Sequence, residues 1–223
     1  MRAAQLPATS SECEWEGSSA RELIAVAERF AWRARLPLMI VVCGAPASGK
    51  SHLAAALAEL ADVPRLSSDI LRKQLVGVRA TERAPDEAYS AGWNARTYAE
   101  LGRVAAREAL TNHGAVVDAT FRHRADRETF ASAFGAAAPL LFIECQAPAA
   151  VLACRAADRE RDPARLSDAG LDVAVREHHV WDPLDEIPPG AHLVLRTDRP
   201  SGQVVNDVLA LLDRRLLETA EAA

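Results

Sequence analysis

Gly44-Ala45-Pro46-Ala47-Ser48-Gly49-Lys50-Ser51 is the most informative stretch of this sequence, because it matches the pattern G-x-x-x-x-G-K-[ST] at every fixed position. In this pattern a glycine-rich turn points backbone N–H groups inward, and the following helix presents its positive amino terminus to the same anion. The lysine reaches the β- and γ-phosphates of a nucleoside triphosphate, and the hydroxyl ligates Mg²⁺. The sequence therefore predicts a Mg·ATP site with Lys50 as a catalytic residue and Ser51 as a metal ligand.

The sequence on either side of the motif supports this interpretation. Residues 38–43 form a continuous apolar run rich in β-branched side chains, typical of a strand buried on both faces of a parallel sheet, and residues 51–61 are strongly helical. Lysine is rare in this chain, and one of its only two lysines stands at the position that the motif requires. We assign the whole motif and the adjacent His52 to nucleotide binding. Ala47 stands where glycine is frequent, and alanine restricts positive φ.

Strands and helices alternate along the rest of the chain. Strands are predicted at 38–43, 64–67, 115–117, 140–145 and 192–196. Helices are predicted at 51–61, 69–76, 86–112, 124–137, 149–162, 171–179 and 203–218. This alternation indicates an α/β fold of three layers, a P-loop NTPase fold with a mostly parallel five-stranded sheet and helices on both faces. We expect one domain over 20–223, opened by a helix at 20–36, and a disordered polar leader at 1–19.

Composition limits the classes of protein that fit. The chain has 223 residues and a formal net charge of −5, which argues against binding long nucleic acid. The four cysteines lack metal-ligand spacing, so we expect reduced cysteines, mostly in the core. The leader has no apolar segment of a signal peptide, and no apolar run approaches the roughly 20 residues that span a bilayer. We therefore expect a cytoplasmic protein without a membrane segment.

Two aspartates follow predicted strands, where parallel sheets bind their ligands. If Asp69 opens a helix, Arg72 and Lys73 lie on the same face, and this group suits an acceptor hydroxyl next to a transferring phosphoryl group. A helix cap with a surface ion pair explains the same spacing equally well. Asp118 ends an apolar strand beside the phosphate motif, which favours a role in holding Mg²⁺ over a second helix cap.

A cluster of arginines around Pro163 has two interpretations. The cluster consists of Arg155, Arg159, Arg161 and Arg165. A solvated helix with ion pairs accounts for it. The sharper hypothesis is an arginine-bearing lid over about 155–170 that closes on the phosphates and stabilises charge in the transition state.

Together these stretches resemble the P-loop kinases related to gluconate kinase, zeta toxin, chloramphenicol phosphotransferase and polynucleotide 5′-kinase, and in particular the predicted kinases of the AAA-type ATP-binding family. The similarity covers about residues 38–212. It is carried by GAPASGKS, SSDILRKQL, VVDATFRHRADR and VLACRAADRERDP.

The resemblance implies roles for single residues. It implies that Asp69 activates the acceptor, that Arg72 lies on the acceptor side, and that Asp118 and Thr120 contact Mg²⁺, phosphate or substrate. It also implies that Arg155 and Arg159 are lid arginines that act in catalysis, with Arg155 also contacting the nucleotide, and that residues 197–200 lie beside the adenine. The helix-rich insert at 78–103 lies where relatives build acceptor pockets, although its aromatic residues Tyr89, Trp93 and Tyr98 are as readily explained by packing.

The leading hypothesis is a kinase that transfers the γ-phosphoryl group of Mg·ATP to a hydroxyl of a small polar molecule. A polynucleotide 5′-hydroxyl kinase is the alternative within the same class, and the overall acidity counts against it. A nucleotide-binding switch or ATPase without an acceptor is the alternative from another class, and SSDILRK counts against it because a switch needs no acceptor-side aspartate. We expect a monomer or homodimer.

Overall fold

The computed structural model describes residues 38–160 and 181–221. The predicted leader at 1–19, the helix at 20–36, the helix at 171–179 and the lid beyond residue 160 lie outside the described residues, as do Arg161 and Arg165.

Five strands form one sheet in which every pairing is parallel. They are β1 (Leu38–Gly44), β2 (Arg65–Ser67), β3 (Gly114–Asp118), β4 (Leu140–Gln146) and β5 (His192–Arg196), in the spatial order β2-β3-β1-β4-β5. All five predicted strands are confirmed, and so is the α/β fold with a parallel sheet. The strand that carries the phosphate motif is the central one.

In the described part of the chain, six helices connect or follow the strands. They are α1 (Lys50–Ala61), α2 (Ser68–Val76), α3 (Ala91–Thr111), α4 (Arg124–Phe134), α5 (Ala149–Glu160) and α6 (Ser201–Glu221), with short 3₁₀ turns at Asp86–Tyr89 and Pro189–Ala191. The helix predicted at 86–112 is thus a 3₁₀ turn and a separate helix, because Ser90 has extended backbone at φ −63°, ψ 159°. Helix α4 ends three residues earlier than predicted, since Gly135 leaves helical geometry at φ 66°. None of the helices described here is long and apolar enough to cross a membrane.

Alternate residues of β1 face two separate apolar layers. Ile40 and Val42 pack with side chains of α1 and α6. Met39, Val41 and Cys43 pack with side chains of α3 and α4 on the opposite face. This explains the continuous apolar run of β1, because a strand covered on both faces has no solvent-facing position for a polar residue.

Helix α3 lies very close to α4 at Gly102. A Cβ atom at this position would lie 2.5 Å from the carbonyl oxygen of Phe130 and 2.9 Å from the Cβ of Ala133. A glycine inside a helix costs about 1 kcal/mol relative to alanine. The close helix–helix approach is the reason for that glycine, and it fixes the layer that carries Tyr98 and Arg127.

Candidate active site

The phosphate motif forms a turn between β1 and α1 that depends on glycine at both ends. Gly44 has φ 142°, and a Cβ atom there would lie 2.5 Å from the carbonyl oxygen of Cys145. Gly49 has φ 89° and is the N-cap of α1, with no side chain capping the helix. Within the described part of the chain, no hydrogen bond uses the backbone N–H groups of Gly49, Lys50 or Ser51. These free donors at a helix amino terminus form a cradle for an anionic phosphate.

Ala47 is the one strained position of this turn. It has φ 64° although it carries a Cβ atom, and it is 2% exposed. The left-handed region costs a residue with a side chain roughly 1–2 kcal/mol. The turn therefore adopts a conformation that Ala47 disfavours. The sequence-based expectation that alanine restricts positive φ at this position applies here.

Lys50, Ser51 and Asp118 meet at the carboxyl ends of β1 and β3. The Ser51 hydroxyl donates a hydrogen bond to the Asp118 carboxylate at 3.2 Å. Lys50 is buried at 7% exposure and Asp118 at 3%, and the charge of Lys50 acts on the Asp118 carboxyl. Arg65 adds a second cation, with its guanidinium 3.8 Å from Asp118. Arg65 was not identified from the sequence, where it is one arginine among many at the start of a short strand.

The electrostatics of Asp118 suit a divalent cation. Burial raises the pKa of the Asp118 carboxyl above its ordinary value, while Lys50, Arg65 and the Ser51 hydroxyl act in the opposite direction. A buried carboxylate whose charged form is disfavoured gains from an added cation. Ser51 and Asp118 supply hard oxygen ligands of the kind that Mg²⁺ binds, and nucleotide and water oxygens usually complete its shell. Asp118 is not a helix cap, since α4 begins only at Arg124.

Arg155 of α5 lies against the phosphate motif from the other side. Its guanidinium donates to the carbonyl oxygen of Thr197 at 2.6 Å, while its Nη1 is buried without a partner in the structure. The Thr197 hydroxyl in turn donates to the carbonyl oxygen of Ser48 at 2.6 Å. A Cβ atom on Gly49 would lie 3.7 Å from Arg155 Nη1. An unsatisfied buried donor beside the cradle is the kind of group that an anionic ligand satisfies.

The other predicted nucleotide-binding residues differ in how close they lie to the phosphate turn. Arg159 belongs to α5, but its side chain is outside the described residues. His52 is exposed in the first turn of α1. The carbonyl oxygen of Thr120 accepts a hydrogen bond from the Gly44 N–H at 3.3 Å, so Thr120 lies at the start of the phosphate turn.

Asp69 lies in the first turn of α2 but does not cap it. The cap is Ser67, whose hydroxyl accepts a hydrogen bond from the Ile70 N–H at 3.5 Å. The expectation that Asp69 opens the helix is corrected by one residue, since α2 begins at Ser68. The half-buried Asp69 carboxylate makes no hydrogen bond or ion pair with any other part of the described chain. Its charge nevertheless contributes to raising the pKa of Asp118, so the two carboxylates belong to one electrostatic site.

The two cations that follow Asp69 are buried and bonded to backbone. Arg72 is 5% exposed and donates to the carbonyl oxygen of Ala88, with its guanidinium 4.8 Å from the ring centre of Tyr89. Lys73 is 1% exposed, and its ammonium donates to the carbonyl oxygen of Ala80 at 3.0 Å. Both hold the segment between α2 and α3 in place. The Arg72 Nε is also buried and has no hydrogen-bond partner among the described residues.

The aromatic residues of the insert serve different purposes. Tyr89 is 40% exposed at the end of the 3₁₀ turn, and Trp93 is half-buried. Tyr98 is buried, and its hydroxyl accepts a hydrogen bond from the backbone N–H of Phe121 at 3.3 Å. Tyr98 therefore supports the turn after β3 and does not offer its side chain to a ligand.

No role was predicted for Arg127, which makes more hydrogen bonds than any other described side chain near the site. It is 2% exposed, and all three guanidinium nitrogens donate to backbone carbonyls or to the carboxylate of Glu186. The signal was present as the last position of VVDATFRHRADR, but the spacing alone does not show what an arginine at that position contacts.

Comparisons with known proteins agree with this geometry. The profile of the AAA domain family matches residues 39–183. The chain belongs to the AAA domain family. The predicted resemblance is thereby confirmed. A search of curated proteins finds no match.

Solved structures of P-loop kinases share the fold. A gluconokinase from Sinorhizobium meliloti 1021 is 22% identical at a TM-score of 0.55, over 84% of this chain and 98% of that one. A putative kinase from Chloroflexus aurantiacus j-10-fl is 26% identical at a TM-score of 0.58, over 80% and 97%. The APS kinase CysC of Mycobacterium tuberculosis, in complex with AMPPNP and APS, is 18% identical at a TM-score of 0.54, over 78% and 96%. These likenesses show that the chain shares the fold of these kinases.

Proposed function

We propose that this protein is a kinase that transfers the γ-phosphoryl group of Mg·ATP to a hydroxyl of a small polar acceptor. The donor site is the turn Gly44–Ser51 with Asp118 and Arg155. The acceptor site lies on the side of α2, where Asp69 faces the hydroxyl. The sugar and APS kinases among the structural relatives support an acceptor of this size, and they do not identify it.

The observation that carries the proposal is that two carboxylates with different surroundings lie at one edge of the sheet. Asp118 has several partners, whereas Asp69 has none within the described chain. Asp118 is buried beside Lys50, Ser51 and Arg65, and with the Ser51 hydroxyl it offers two oxygen ligands to a metal ion. Asp69 makes no hydrogen bond or ion pair within the described chain and is not needed as a cap. A half-buried carboxylate that makes no such contact with the described chain is available to accept a hydrogen bond from a ligand hydroxyl. A protein that only binds or hydrolyses nucleotide has no need for it.

Each step of the proposed phosphoryl transfer is assigned to residues of the site. The free N–H groups of Gly49, Lys50 and Ser51 and the ammonium of Lys50 hold the phosphates, and Ser51 and Asp118 would hold Mg²⁺. When bound, Mg²⁺ supplies positive charge to the β- and γ-phosphoryl oxygens. The acceptor oxygen forms a bond to the γ-phosphorus while the bond to the β–γ bridging oxygen breaks and ADP leaves. Asp69 orients the acceptor hydroxyl and takes its proton.

The unsatisfied Arg155 Nη1 gives the nucleotide side a further donor. It lies beside Gly49 and the loop that begins at Thr197, on the side of the cradle away from Asp69. We infer that it donates to the nucleotide and helps to offset the charge that develops during transfer. Arg159 would act in the same way from the next turn of α5.

An ADP-release assay over chemically distinct acceptors tests the proposal. The panel contains sugars and polyols, nucleosides, aminoglycosides and short oligonucleotides with a free 5′-hydroxyl, each with a deoxy counterpart that lacks the hydroxyl as the control. A small acceptor that raises ADP release, with no effect of its deoxy counterpart, supports the proposal. Stimulation by oligonucleotides alone, with a strong dependence on salt, would instead indicate an end kinase. Turnover that no acceptor changes would overturn the kinase assignment.

A further inference from the structure

The turn after β3 contains a backbone conformation that its residue disfavours. Phe121 has φ 51° although it is a bulky residue, and its side chain is fully buried. Its ring packs against three other aromatic rings, with centroids 4.9 Å from Tyr98, 5.1 Å from Phe130 and 6.0 Å from Phe142. A positive φ in such a residue costs of order 1–3 kcal/mol and persists only where surrounding contacts impose it.

Two side chains hold both peptide groups of Phe121. The Tyr98 hydroxyl accepts a hydrogen bond from the Phe121 N–H at 3.3 Å. The Arg127 guanidinium donates to the Phe121 carbonyl oxygen at 2.9 Å. Both side chains are buried, so water is not a ready substitute for either contact.

Arg127 is itself fixed from the far side. Its Nε and Nη2 donate to the carboxylate of Glu186, and Nη2 also donates to the Pro183 carbonyl oxygen at 2.8 Å. Glu186 lies in the segment between residue 181 and β5, distant in sequence from the turn. Its hydrogen bond with Arg127 lowers the pKa of the Glu186 carboxyl, so the pair is charged at neutral pH.

The turn that Phe121 completes begins directly after Asp118, the last residue of β3. Ala119 donates to the carbonyl oxygen of Val42 at 3.2 Å, and the Thr120 carbonyl accepts from Gly44 at 3.3 Å. Residues 118–121 are therefore bound to β1 and to the first residue of the phosphate turn. The backbone of Asp118 is held in register with Val42 and Ser67. A relaxation of Phe121 to negative φ would change the direction of the chain that leaves Asp118, and we expect this to shift the Asp118 side chain relative to the Ser51 hydroxyl.

We propose that Tyr98 and Arg127 are positioning residues for the metal side of the site. By clamping the N–H and C=O groups of Phe121 they impose its positive φ, and this conformation holds Asp118 3.2 Å from the Ser51 hydroxyl. The inference rests on the proposed function, because it assigns these two oxygens to Mg²⁺. Both side chains are buried, so we assign them a positioning role through Phe121 and no role in binding the nucleotide or the acceptor.

Tyr98→Phe and Arg127→Lys test the clamp with two readouts. The first is hydrogen–deuterium exchange of a peptide that contains Phe121, measured without ligand, which reports on the clamp alone. In Tyr98→Phe the Phe121 amide should exchange about 3- to 10-fold faster, the effect of one lost hydrogen bond. The second is Mg²⁺-dependent binding of ATP, for which the half-saturating Mg²⁺ concentration should rise about 10-fold, the scale on which groups that orient metal ligands act.

Two control variants separate positioning from loss of stability. Arg124→Gln removes an exposed arginine of the same helix, and Phe134→Leu weakens the core at a buried ring away from the turn. Both should keep the wild-type Mg²⁺ dependence at temperatures where they are folded. Tyr98→Phe removes only the hydroxyl and retains the packed ring. If Arg127→Lys fails to fold, Tyr98→Phe alone tests the positioning role. An unchanged Mg²⁺ dependence in folded Tyr98→Phe, with the wild type responding normally, would overturn the positioning role. A wild type whose ATP binding ignores Mg²⁺ would instead overturn the proposed function.

Discussion

The proposed donor and acceptor sides of the site use charged side chains in opposite ways. On the proposed donor side, Lys50 and Arg65 lie beside the buried Asp118, and the N–H groups of Gly49, Lys50 and Ser51 make no hydrogen bond within the described chain. On the proposed acceptor side, Arg72 and Lys73 donate to backbone carbonyls, and Asp69 makes no hydrogen bond or ion pair within the described chain. The proposed donor side thus offers several hydrogen-bond donors to an anion. The proposed acceptor side offers the single carboxylate of Asp69 on a helix whose buried cations bind backbone.

The difference shows which parts of such a site are local. The donor cradle is made by one turn between a strand and a helix, so its chemistry follows from eight consecutive residues. The proposed acceptor side depends on how α2 packs against the 3₁₀ turn and α3, which are separate elements further along the chain. Proteins of the same fold can therefore share the nucleotide site while their acceptor pockets differ.

The largest effect is expected from Lys50→Ala, which breaks the donor side. Removing the buried ammonium should reduce ATP turnover at least about 100-fold, the usual scale for losing one charge-stabilising donor. Steady-state ADP release and ATP binding by calorimetry measure it. Arg107→Ala, which removes an exposed cation of α3, is the control and should be normal. Turnover of Lys50→Ala close to that of the wild type would refute the assignment of the cradle.

Asp69→Asn tests the acceptor side while leaving the donor side intact. Transfer should fall about 100-fold or more, as for the loss of a general base, while ATP affinity stays within about threefold. The paired control is Asp86→Asn, an exposed carboxylate in the neighbouring 3₁₀ turn that pairs with Arg83 at 3.0 Å. Equal losses in ATP binding and transfer would show that Asp69 belongs to the donor side, and no loss would leave it without a catalytic role.

A smaller, pH-dependent effect is expected from Glu186→Gln. Arg127 lowers the pKa of the Glu186 carboxyl below its ordinary value of 4.5. The ionised carboxylate therefore stabilises the fold at pH above that ordinary value, and this contribution is lost as pH falls through the lowered one. The variant should lose about 1–2 kcal/mol at pH 7, and its difference from the wild type should narrow towards pH 4. Denaturant unfolding across this range checks it; a gap that widens on acidification would contradict the pairing.

The smallest effect is expected from Ala47→Gly in the phosphate turn. Glycine relieves the strain at φ 64°, but its greater freedom in the unfolded chain offsets most of the gain. The free energy of unfolding should stay within about 1 kcal/mol of wild type, and ATP affinity within about threefold. Ala47→Val is the contrast, since a β-branched residue does not tolerate this φ at a buried position. Equal stability of the two variants would show that Ala47 is not strained.

The sequence predicted what depends on short-range order. All five strands and the phosphate turn follow from apolar runs and from one motif, because a strand buried on both faces and a glycine turn leave local signatures. The role of Arg65 beside Asp118 and the clamp of Tyr98 and Arg127 on Phe121 were not predictable. These contacts join residues between 6 and 53 positions apart, and a lone arginine or tyrosine carries no mark of its partner.

The central claim is that the donor and acceptor sides act on one phosphoryl group. The most direct measurement follows the γ-phosphorus of labelled ATP in the presence of an acceptor that stimulates ADP release, in the wild type and in Asp69→Asn side by side. We predict label in an ester of the acceptor with the wild type, and at least about 100-fold less of that ester with Asp69→Asn. Label that appears only as inorganic phosphate, in equal amounts with both proteins, would contradict the account.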